Sequence, residues 1–402
     1  MSRVIIVGAG PGGASLAYLL ARRGIDVTLF ERQTDFAREF RGEVLLPGGL
    51  EPFKQMGLWQ ELNAVPHVTL RAVALYVNGA RRARATFDPS TFGELTPRWT
   101  SQPALLEMLI AQCSRFPSFR FERGTPVRDL VRDGTRVVGV KLEGGRELRG
   151  DLVVGADGRT SIVRRRSEVA VQHDPTPMDV VWCKLPIPDW FVSDPHLRAY
   201  VGGGQLLITA PISREHMQIA WIIAKGKFGE LRERGMADWL DRMAAHASLD
   251  LAEHLRHHRD SSVHPFLLST VSDRVTHWSR PGVLLIGDAA HTMSPVGAQG
   301  LNLAIRDAIV AANHLVPAFD RGAAPAVVDA ASAQVEEERV PEVAEIQRLQ
   351  ALPPRLLLRD AWWSRLVLSV LPRVLRSGVT GPRRGTVIRR IAFGVTEVRL
   401  AV

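Results

Sequence analysis

Short, continuous runs of apolar residues open the chain and recur further along it. They occupy residues 4–7, 27–30, 152–154 and 283–286. Runs of this kind are typical of strands buried on both faces of a parallel sheet. Between the first two runs, apolar residues recur at the spacing of one helix face: Ala14, Ala17, Leu20 and Ala21. The pattern predicts a strand, a helix and a second strand at the start of an α/β fold.

Two other stretches are typical of antiparallel sheet. One covers residues 71–77 and is followed by Asn78 and Gly79, a pair that favours the tight turn of a hairpin. The other runs over residues 180–224. Both stretches interrupt the pieces of the parallel sheet, so the pattern predicts a second, interleaved sheet. A chain of 402 residues is long enough for the two domains that this implies.

The net charge of +9 is concentrated at the C-terminal end. From residue 345 onward there are eleven arginines and three acidic residues, a net of +8. The arginines interrupt apolar clusters, which predicts amphipathic helix up to Pro372. We expect this region to pack over the interleaved sheet; a solvated basic tail and a peripheral membrane contact are the alternatives. Basic and aromatic residues are not interleaved as in RNA-binding modules, so no nucleic-acid partner is expected.

Cysteine content and hydropathy bear on the compartment. Cys113 and Cys183 are too few for a disulfide framework and too far apart for a metal pair, which favours a reducing cytoplasm and no metal site. The first strand starts at Arg3, which leaves no room for a signal peptide, and no apolar run has the length of a bilayer. We expect a cytoplasmic monomer or homodimer.

The first apolar run leads directly into a glycine-rich turn at residues 8–13. Gly8 permits a tight turn, Gly10 lets the backbone approach a pyrophosphate, and Gly13 lets helix and strand pack closely. The following helix presents unpaired amides and the positive end of its dipole to the phosphates. Glu31, at the end of the second strand, is placed to accept hydrogen bonds from an adenosine ribose. The motif predicts dinucleotide binding and leaves NAD and FAD open.

Two later motifs place aspartates at the carboxyl ends of further strands. Asp157 and Gly158 follow the third apolar run, Gly287 and Asp288 follow the fourth, and residues 295–302 then open a helix. Either aspartate alone is as easily a turn or helix-capping residue. Ligands of open α/β sheets, however, bind outside the carboxyl ends of the strands. Together with the glycine turn, the motifs therefore predict one shared ligand site.

In this order and at this spacing, over residues 1 to about 315, the motifs resemble those of the single-component (group A) FAD-dependent aromatic hydroxylases with the para-hydroxybenzoate hydroxylase fold. The resemblance implies an α/β fold, in which a Rossmann-like FAD-binding domain is interleaved with an antiparallel β-sheet substrate domain and followed by C-terminal helices. It implies FAD as cofactor and NADPH or NADH as co-substrate. The implied boundaries are 1–70, 98–175 and 270–320 for the FAD-binding domain, 71–97 and 176–269 for the substrate domain, and 321–402 for the helical region.

The family's cofactor contacts carry over to matching positions. Glu31 would hold the ribose, Asp288 the ribityl chain, and Asp157 would serve both FAD and the docking of NAD(P)H. The backbone amides of Leu301 and Asn302 would face the pyrimidine edge of the flavin, where the helix dipole stabilises the reduced anion. The cofactor-binding residues implied in full are Gly8, Gly10, Gly12, Gly13, Glu31, Arg41 near the diphosphate, Gln102 beside it, Asp157, Asp288, Gly300, Leu301 and Asn302.

The reaction implied by the resemblance is monooxygenation. NAD(P)H would reduce the flavin, dioxygen would give a C4a-hydroperoxide, and the distal oxygen would pass to an electron-rich carbon of a small molecule. Pro295 would lie beside the reacting face of the flavin, and no side chain stands out as an acid–base catalyst. The alternative is another flavoenzyme on the same fold: a halogenase, an epoxidase or an isoprenoid reductase. Residues 181–186 lack the Trp-x-Trp-x-Ile-Pro signature of the halogenases.

Aromatic and polar-tipped residues of the second sheet are the candidates for substrate contact. They are Trp182, His216, Gln218 and Trp221. Since successive strand residues face opposite sides, only about half of them can point inward. His216 is expected to be exposed at a turn, and both tryptophans are expected to be core or wall residues rather than catalytic ones. Tyrosines are few and no arginine is obviously placed for a substrate carboxylate, which favours a fairly apolar substrate.

Overall fold

The computed structural model describes residues 3–37, 44–174, 176–259, 265–357 and 385–402. Its strands are β1 Arg3–Val7, β2 Asp26–Glu31, β3 Val44–Leu45, β4 His67–Thr69, β5 Ala72–Val77, β6 Ala80–Thr86, β7 Arg98–Thr100, β8 Phe119–Arg123, β9 Val127–Asp133, β10 Arg136–Leu142, β11 Glu147–Arg149, β12 Leu152–Gly155, β13 Val171–Asp174, β14 Met178–Pro186, β15 Leu197–Gly202, β16 Gln205–Pro211, β17 His216–Ala224, β18 Phe266–Ser269, β19 Ser272–Val275, β20 Ser279–Arg280 and β21 Val283–Leu285. Its α-helices are α1 Pro11–Ala21, α2 Pro47–Gln55, α3 Trp59–Ala64, α4 Pro89–Phe92, α5 Gln102–Cys113, α6 Ile162–Arg166, α7 Asp189–Ser193, α8 Phe228–Ala244, α9 Leu249–His257, α10 Gln299–Asp320, α11 Pro325–Leu357 and α12 Gly385–Phe393.

A six-stranded sheet carries the three motifs found in the sequence. Its strand order is β20-β21-β12-β1-β2-β8, parallel except for β20 at the edge. Val4 of β1 lies between Leu152 of β12 and Val27 of β2, and the apolar residues of these three strands are buried. Helix α1 packs against α10. The prediction of parallel strands buried on both faces is confirmed.

A seven-stranded sheet is interleaved with the first, in the order β18-β14-β17-β16-β15-β5-β6. Neighbouring strands are antiparallel apart from β15 and β5. The β5–β6 hairpin turns at Asn78 and Gly79, whose φ values of 48° and 78° are those of the predicted tight turn. Side chains alternate between an outer face, covered by α8 and α9, and an inner face that meets Val296 in the loop before α10.

The C-terminal segment returns to the cofactor-binding half of the molecule. Helices α10 and α11 pack together, and the chain after α12 crosses back to α2 and α10. There the side-chain amide of Gln55 bonds to the backbone of Val398 and Leu400, at 3.3 and 2.7 Å. The part of the predicted amphipathic region beyond Leu357 lies outside the described residues. Among the described helices, none combines the length and apolar character needed to cross a membrane.

Candidate active site

A crevice of about 660 Å³ follows the carboxyl ends of β1, β12 and β21. Parallel strands present these ends at one edge of a sheet, which explains why motifs distant in sequence meet there. The predicted residues that line it are Gly8, Gly10, Gly12, Gly13, Glu31, Gln102, Asp157, Asp288, Pro295, Gly300 and Leu301. Asn302 is not among the lining residues, although Leu301 before it is, and Arg41 lies outside the described residues.

The glycines of the first turn have different physical tasks. Gly8 has a φ of 102°, and a Cβ there would stand 2.4 Å from the carbonyl oxygen of Ala156. A Cβ on Gly13 would stand 2.0 Å from the carbonyl oxygen of Gly8. At Gly10 the nearest atom is 3.9 Å away, so the space above it opens into the crevice. The packing of the turn requires Gly8 and Gly13, whereas Gly10 leaves room for a phosphate.

Glu31 is fixed at the end of β2, beside the glycine turn. Its carboxylate accepts hydrogen bonds from the backbone amides of Ala9 and Gln33, at 3.0 and 3.1 Å. These bonds hold an almost fully buried acid next to the N-terminus of α1. The position is suited to the hydroxyls of an adenosine ribose.

Asp157 shapes the turn that follows β12. Its carboxylate accepts hydrogen bonds from the hydroxyl of Ser161 and from the amides of Ile162 and Val163, the latter two at 2.6 and 3.3 Å. Burial raises the pKa of Asp157, and these hydrogen bonds act in the opposite direction. The aspartate therefore caps α6 while lining the crevice. Its contact with FAD or NAD(P)H stays a prediction.

Asp288 presents a partly exposed carboxylate to the crevice. One oxygen lies 3.4 Å from Nε of Arg159, and the other faces the open position above Gly300. The guanidinium of Arg164 donates to the backbone carbonyl of Ala289 at 2.9 Å, which fixes the turn that carries Asp288. The acid is thus held from one side and accessible from the other.

The start of α10 faces the same space. Ala298 precedes the helix in a left-handed conformation, with a φ of 53°, and the amides of residues 299–301 have no intrahelical acceptor. Asn302 acts through its side chain, which donates to the carbonyls of Ala298 and Val44 at 2.6 and 3.0 Å and accepts from the amide of Leu46 at 2.9 Å. It ties the helix start to β3.

Comparison with known proteins identifies this arrangement. Residues 1–345 match the family model described as an FAD binding domain. The chain belongs to this FAD-binding family. It is 33% identical to the 6-methylpretetramide 4-monooxygenase of Streptomyces rimosus, over 99% of this chain and 93% of that protein. It is 28% identical to the rifampicin monooxygenase of Streptomyces venezuelae, over 86% and 70%.

Solved structures share the fold. The p-nitrophenol 4-monooxygenase PnpA of Pseudomonas putida has a TM-score of 0.80 at 16% identity, with 99% of this chain and all of that chain covered. HpxO of Klebsiella pneumoniae, solved with FAD and uric acid, has a TM-score of 0.78 at 21% identity, with 98% and 97% covered. The predicted fold class and family, FAD as cofactor and assignment as an FAD-dependent monooxygenase are confirmed.

A buried network of charged residues behind the Gly287–Asp288 turn was not predicted from the sequence. Asp307 of α10 accepts from the backbone amide of Gly287 at 2.9 Å and from Nε of Arg339 at 2.8 Å, and it lies 2.7 Å from Nε2 of His291. Burial alone would raise the pKa of Asp307, but His291 and Arg339 hold it far below its usual range. The network fixes the Gly287 turn onto α10.

The same network anchors the C-terminal segment. Glu342 lies between Arg306, at 2.8 Å, and Arg339, and it also accepts from the backbone amides of Val395 and Thr396 at 2.8 and 3.2 Å. Burial would raise its pKa, yet the two arginines lower the pKa of Glu342 to about 2. In the sequence, Glu342 and Arg339 are ordinary charged residues of a helix rich in charges, so no motif indicated them.

Helix α11 also holds the loop that contains Pro295. The side-chain amide of Gln350 donates to the carbonyls of Ser294 and Val296, at 2.9 and 2.5 Å, on both sides of the proline. One turn earlier, Gln347 donates to the same loop. These glutamines position the loop without lining the crevice, which is why no motif indicated them.

The candidate substrate residues lie in three different places. Trp182 is buried on the inner face of the seven-stranded sheet. Trp221 is buried on the outer face, where it packs against Trp239 and donates to Gln205 at 2.8 Å. His216 is exposed at the start of β17, as expected. Of the four candidates, the structure brings Trp182 and Gln218 to the side of the sheet that meets the Pro295 loop.

Proposed function

We propose that the chain hydroxylates an aromatic or otherwise electron-rich, fairly apolar small molecule, using FAD, NAD(P)H and dioxygen. One oxygen atom would enter a substrate C–H bond and the other would leave as water, as one NAD(P)H and one proton are consumed. The observation that supports this best is the continuous path from the glycine turn to Pro295 and onward to the apolar inner face of the seven-stranded sheet.

The residues along the crevice fit FAD in one orientation. The open space above Gly10 and the N-terminus of α1 would take the diphosphate, and Glu31 the adenosine ribose. Asp288 would accept hydrogen bonds from the ribityl chain. When bound, the flavin supplies the redox and oxygen chemistry; the protein positions it and limits the access of water.

The flavin ring would then lie at the start of α10. The unpaired amides of residues 299–301 and the helix dipole would stabilise negative charge on the reduced ring. Phe266 and Leu268, at the edge of the seven-stranded sheet, line the same crevice and would keep water from the reacting face. We also propose the predicted division into an FAD-binding domain, a substrate domain and a C-terminal helical region, because the two sheets meet at this crevice.

The names of three relatives bear on the class of substrate. The relative with 33% identity is named for its action on 6-methylpretetramide, and another for its action on rifampicin. A third, squalene epoxidase 3 of Arabidopsis thaliana, is 26% identical over 60% of its length and is named for epoxidation. We therefore infer monooxygenation of a polycyclic aromatic compound. Product analysis must distinguish hydroxylation from epoxidation.

Product analysis with isotopically labelled dioxygen tests the proposal. The purified protein should be yellow, should oxidise NAD(P)H in response to an aromatic substrate, and should place one labelled atom in a hydroxylated product. A panel of naphthols, anthraquinones and polycyclic phenols covers the inferred class. An epoxide product would favour the alternative, and a protein that takes up no FAD would overturn the proposal.

A further inference from the structure

The inner face of the seven-stranded sheet is apolar around two polar side chains. Its buried members include Val180, Leu206, Ala220, Ile222 and Leu268. Among the described residues, the polar atoms buried on this face belong to Trp182 and Gln218. Lys184, which the register places directly opposite Gln218, is exposed and is the charged residue nearest to them on this face.

Both polar side chains lack hydrogen-bond partners within the described part of the chain. Gln218 is 1% exposed, and neither its amide oxygen nor its amide nitrogen makes a hydrogen bond. Trp182 is 7% exposed, and its indole N–H is likewise unpaired. Buried polar groups are nearly always hydrogen-bonded, because an unpaired one retains the full cost of leaving water. Two such groups on one face of the sheet are candidates for contact with a ligand.

The register of the sheet places these groups together. Trp182 on β14 lies opposite Ala220, and Lys184 lies opposite Gln218, so Trp182 and Gln218 are diagonal neighbours on one face. Diagonal neighbours have Cα atoms about 7–8 Å apart, which lets long side chains reach the same ligand atom. One small polar group can therefore contact both.

These groups also lie against the cofactor loop. Ala210, opposite Gln218 on β16, packs in a cluster with Leu46 and Ala298. Phe266, opposite Trp182 on β18, lines the crevice, and Val296 packs against the cluster that contains Trp182. The strand neighbours of Gln218 and Trp182 thus pack against the loop that contains Pro295.

We propose that Gln218 and Trp182 bind a carboxamide carried by an otherwise apolar aromatic substrate. The substrate carbonyl would accept from the amide nitrogen of Gln218 and from the indole N–H of Trp182, and the substrate NH₂ would donate to the amide oxygen of Gln218. A carboxylate has no hydrogen to give that oxygen, so the hydrogen bond to Gln218 favours the neutral group, whereas the charge of Lys184 opposite it acts in the other direction. This inference rests on the proposed function, because it assigns the substrate of that reaction.

Ligand binding to the FAD-loaded protein provides the test, measured through perturbation of the flavin absorption. The probes are 3-hydroxy-2-naphthamide, 3-hydroxy-2-naphthoate and 2-naphthol, which share a ring system and differ in the polar group. Gln218→Met should weaken the naphthamide about 10- to 100-fold and leave 2-naphthol nearly unchanged. Trp182→Phe should weaken the naphthamide by a smaller factor, because one of three hydrogen bonds is lost.

The control variant is Trp221→Phe. Trp221 lies on the outer face of the same sheet, and its indole N–H already has a partner, so this change should preserve the preference for the naphthamide. Tighter wild-type binding of the naphthoate, or equal losses of naphthamide and naphthol in Gln218→Met, would overturn the inference. FAD-dependent oxygenation of other aromatics without an amide preference refutes this inference alone, whereas failure to bind FAD refutes the proposed function.

Discussion

The Glu342→Gln substitution removes a charge from the buried network while keeping the shape of the side chain. Glu342 lies between Arg306 and Arg339, whose side chains are 5% and 0% exposed. The arginines lower the pKa of Glu342 from 4.5 to about 2, against the effect of burial. At about 1.4 kcal/mol per pKa unit, this corresponds to roughly 3 kcal/mol of stability at neutral pH. Loss of one partner of a buried ion pair costs about 3–5 kcal/mol, so we expect a destabilisation of that size.

Urea unfolding followed by tryptophan fluorescence measures this effect. Because the pKa of Glu342 is depressed in the folded state, its contribution is complete above about pH 4.5 and is lost as the pH falls toward 2. The difference between wild type and Glu342→Gln should shrink accordingly. Glu338→Gln on the same helix, an exposed partner of His314, is the control and should change stability by less than about 0.5 kcal/mol. A loss below about 1 kcal/mol at neutral pH, or one independent of pH, would refute the reasoning.

Three further predictions concern the cofactor site and the thiols. Gly13→Ala should destabilise the fold by at least about 1–3 kcal/mol, since its Cβ would stand 2.0 Å from a carbonyl oxygen. Gly10→Ala should have a melting temperature near that of the wild type but should bind FAD roughly tenfold more weakly or worse. Thermal melts and FAD titration distinguish the two variants. Asp288→Ala should purify with markedly less FAD, measured by the ratio of flavin to protein absorbance; full loading would disprove the ribityl contact. Burial raises the pKa of Cys113 and Cys183 to about 12, so a thiol reagent at pH 8 should label both only after denaturation, and labelling of the folded protein would contradict this.

The cofactor-binding half could be predicted because its signals are local. A strand buried on both faces needs a continuous apolar run, and Gly8 and Gly13 are imposed by contacts within a few residues of chain or with the adjacent strand. Asp288 could be predicted because it lies just after the end of a buried strand, β21. Each of these features is required by the local geometry of the turn. The residues that satisfy it can therefore be recognised in the sequence.

The buried charge network could not be predicted because it depends on tertiary packing. Asp307 and Arg339 belong to different helices, and their pairing requires α10 and α11 to meet in one register. In the sequence, a charged residue on a helix is most simply interpreted as solvent-exposed. Gln350 could not be predicted for the same reason, since it bonds to the Pro295 loop, which lies more than fifty residues away in the sequence.

The substrate side shows where periodicity stops being informative. Trp182 and Trp221 both lie in apolar strands, and a shift of one residue in register exchanges the two faces of a sheet. The observed pairing of β14 with β18 turns Trp182 toward Phe266 and the Pro295 loop, while Trp221 faces Trp239 and satisfies its indole N–H within the protein. Residue type alone therefore could not distinguish the two tryptophans. They differ in the structure because the indole N–H of Trp221 is hydrogen-bonded and that of Trp182 is not. We propose that the unpaired Trp182 and Gln218 mark the face that meets a ligand, because an unpaired buried group retains the cost of leaving water.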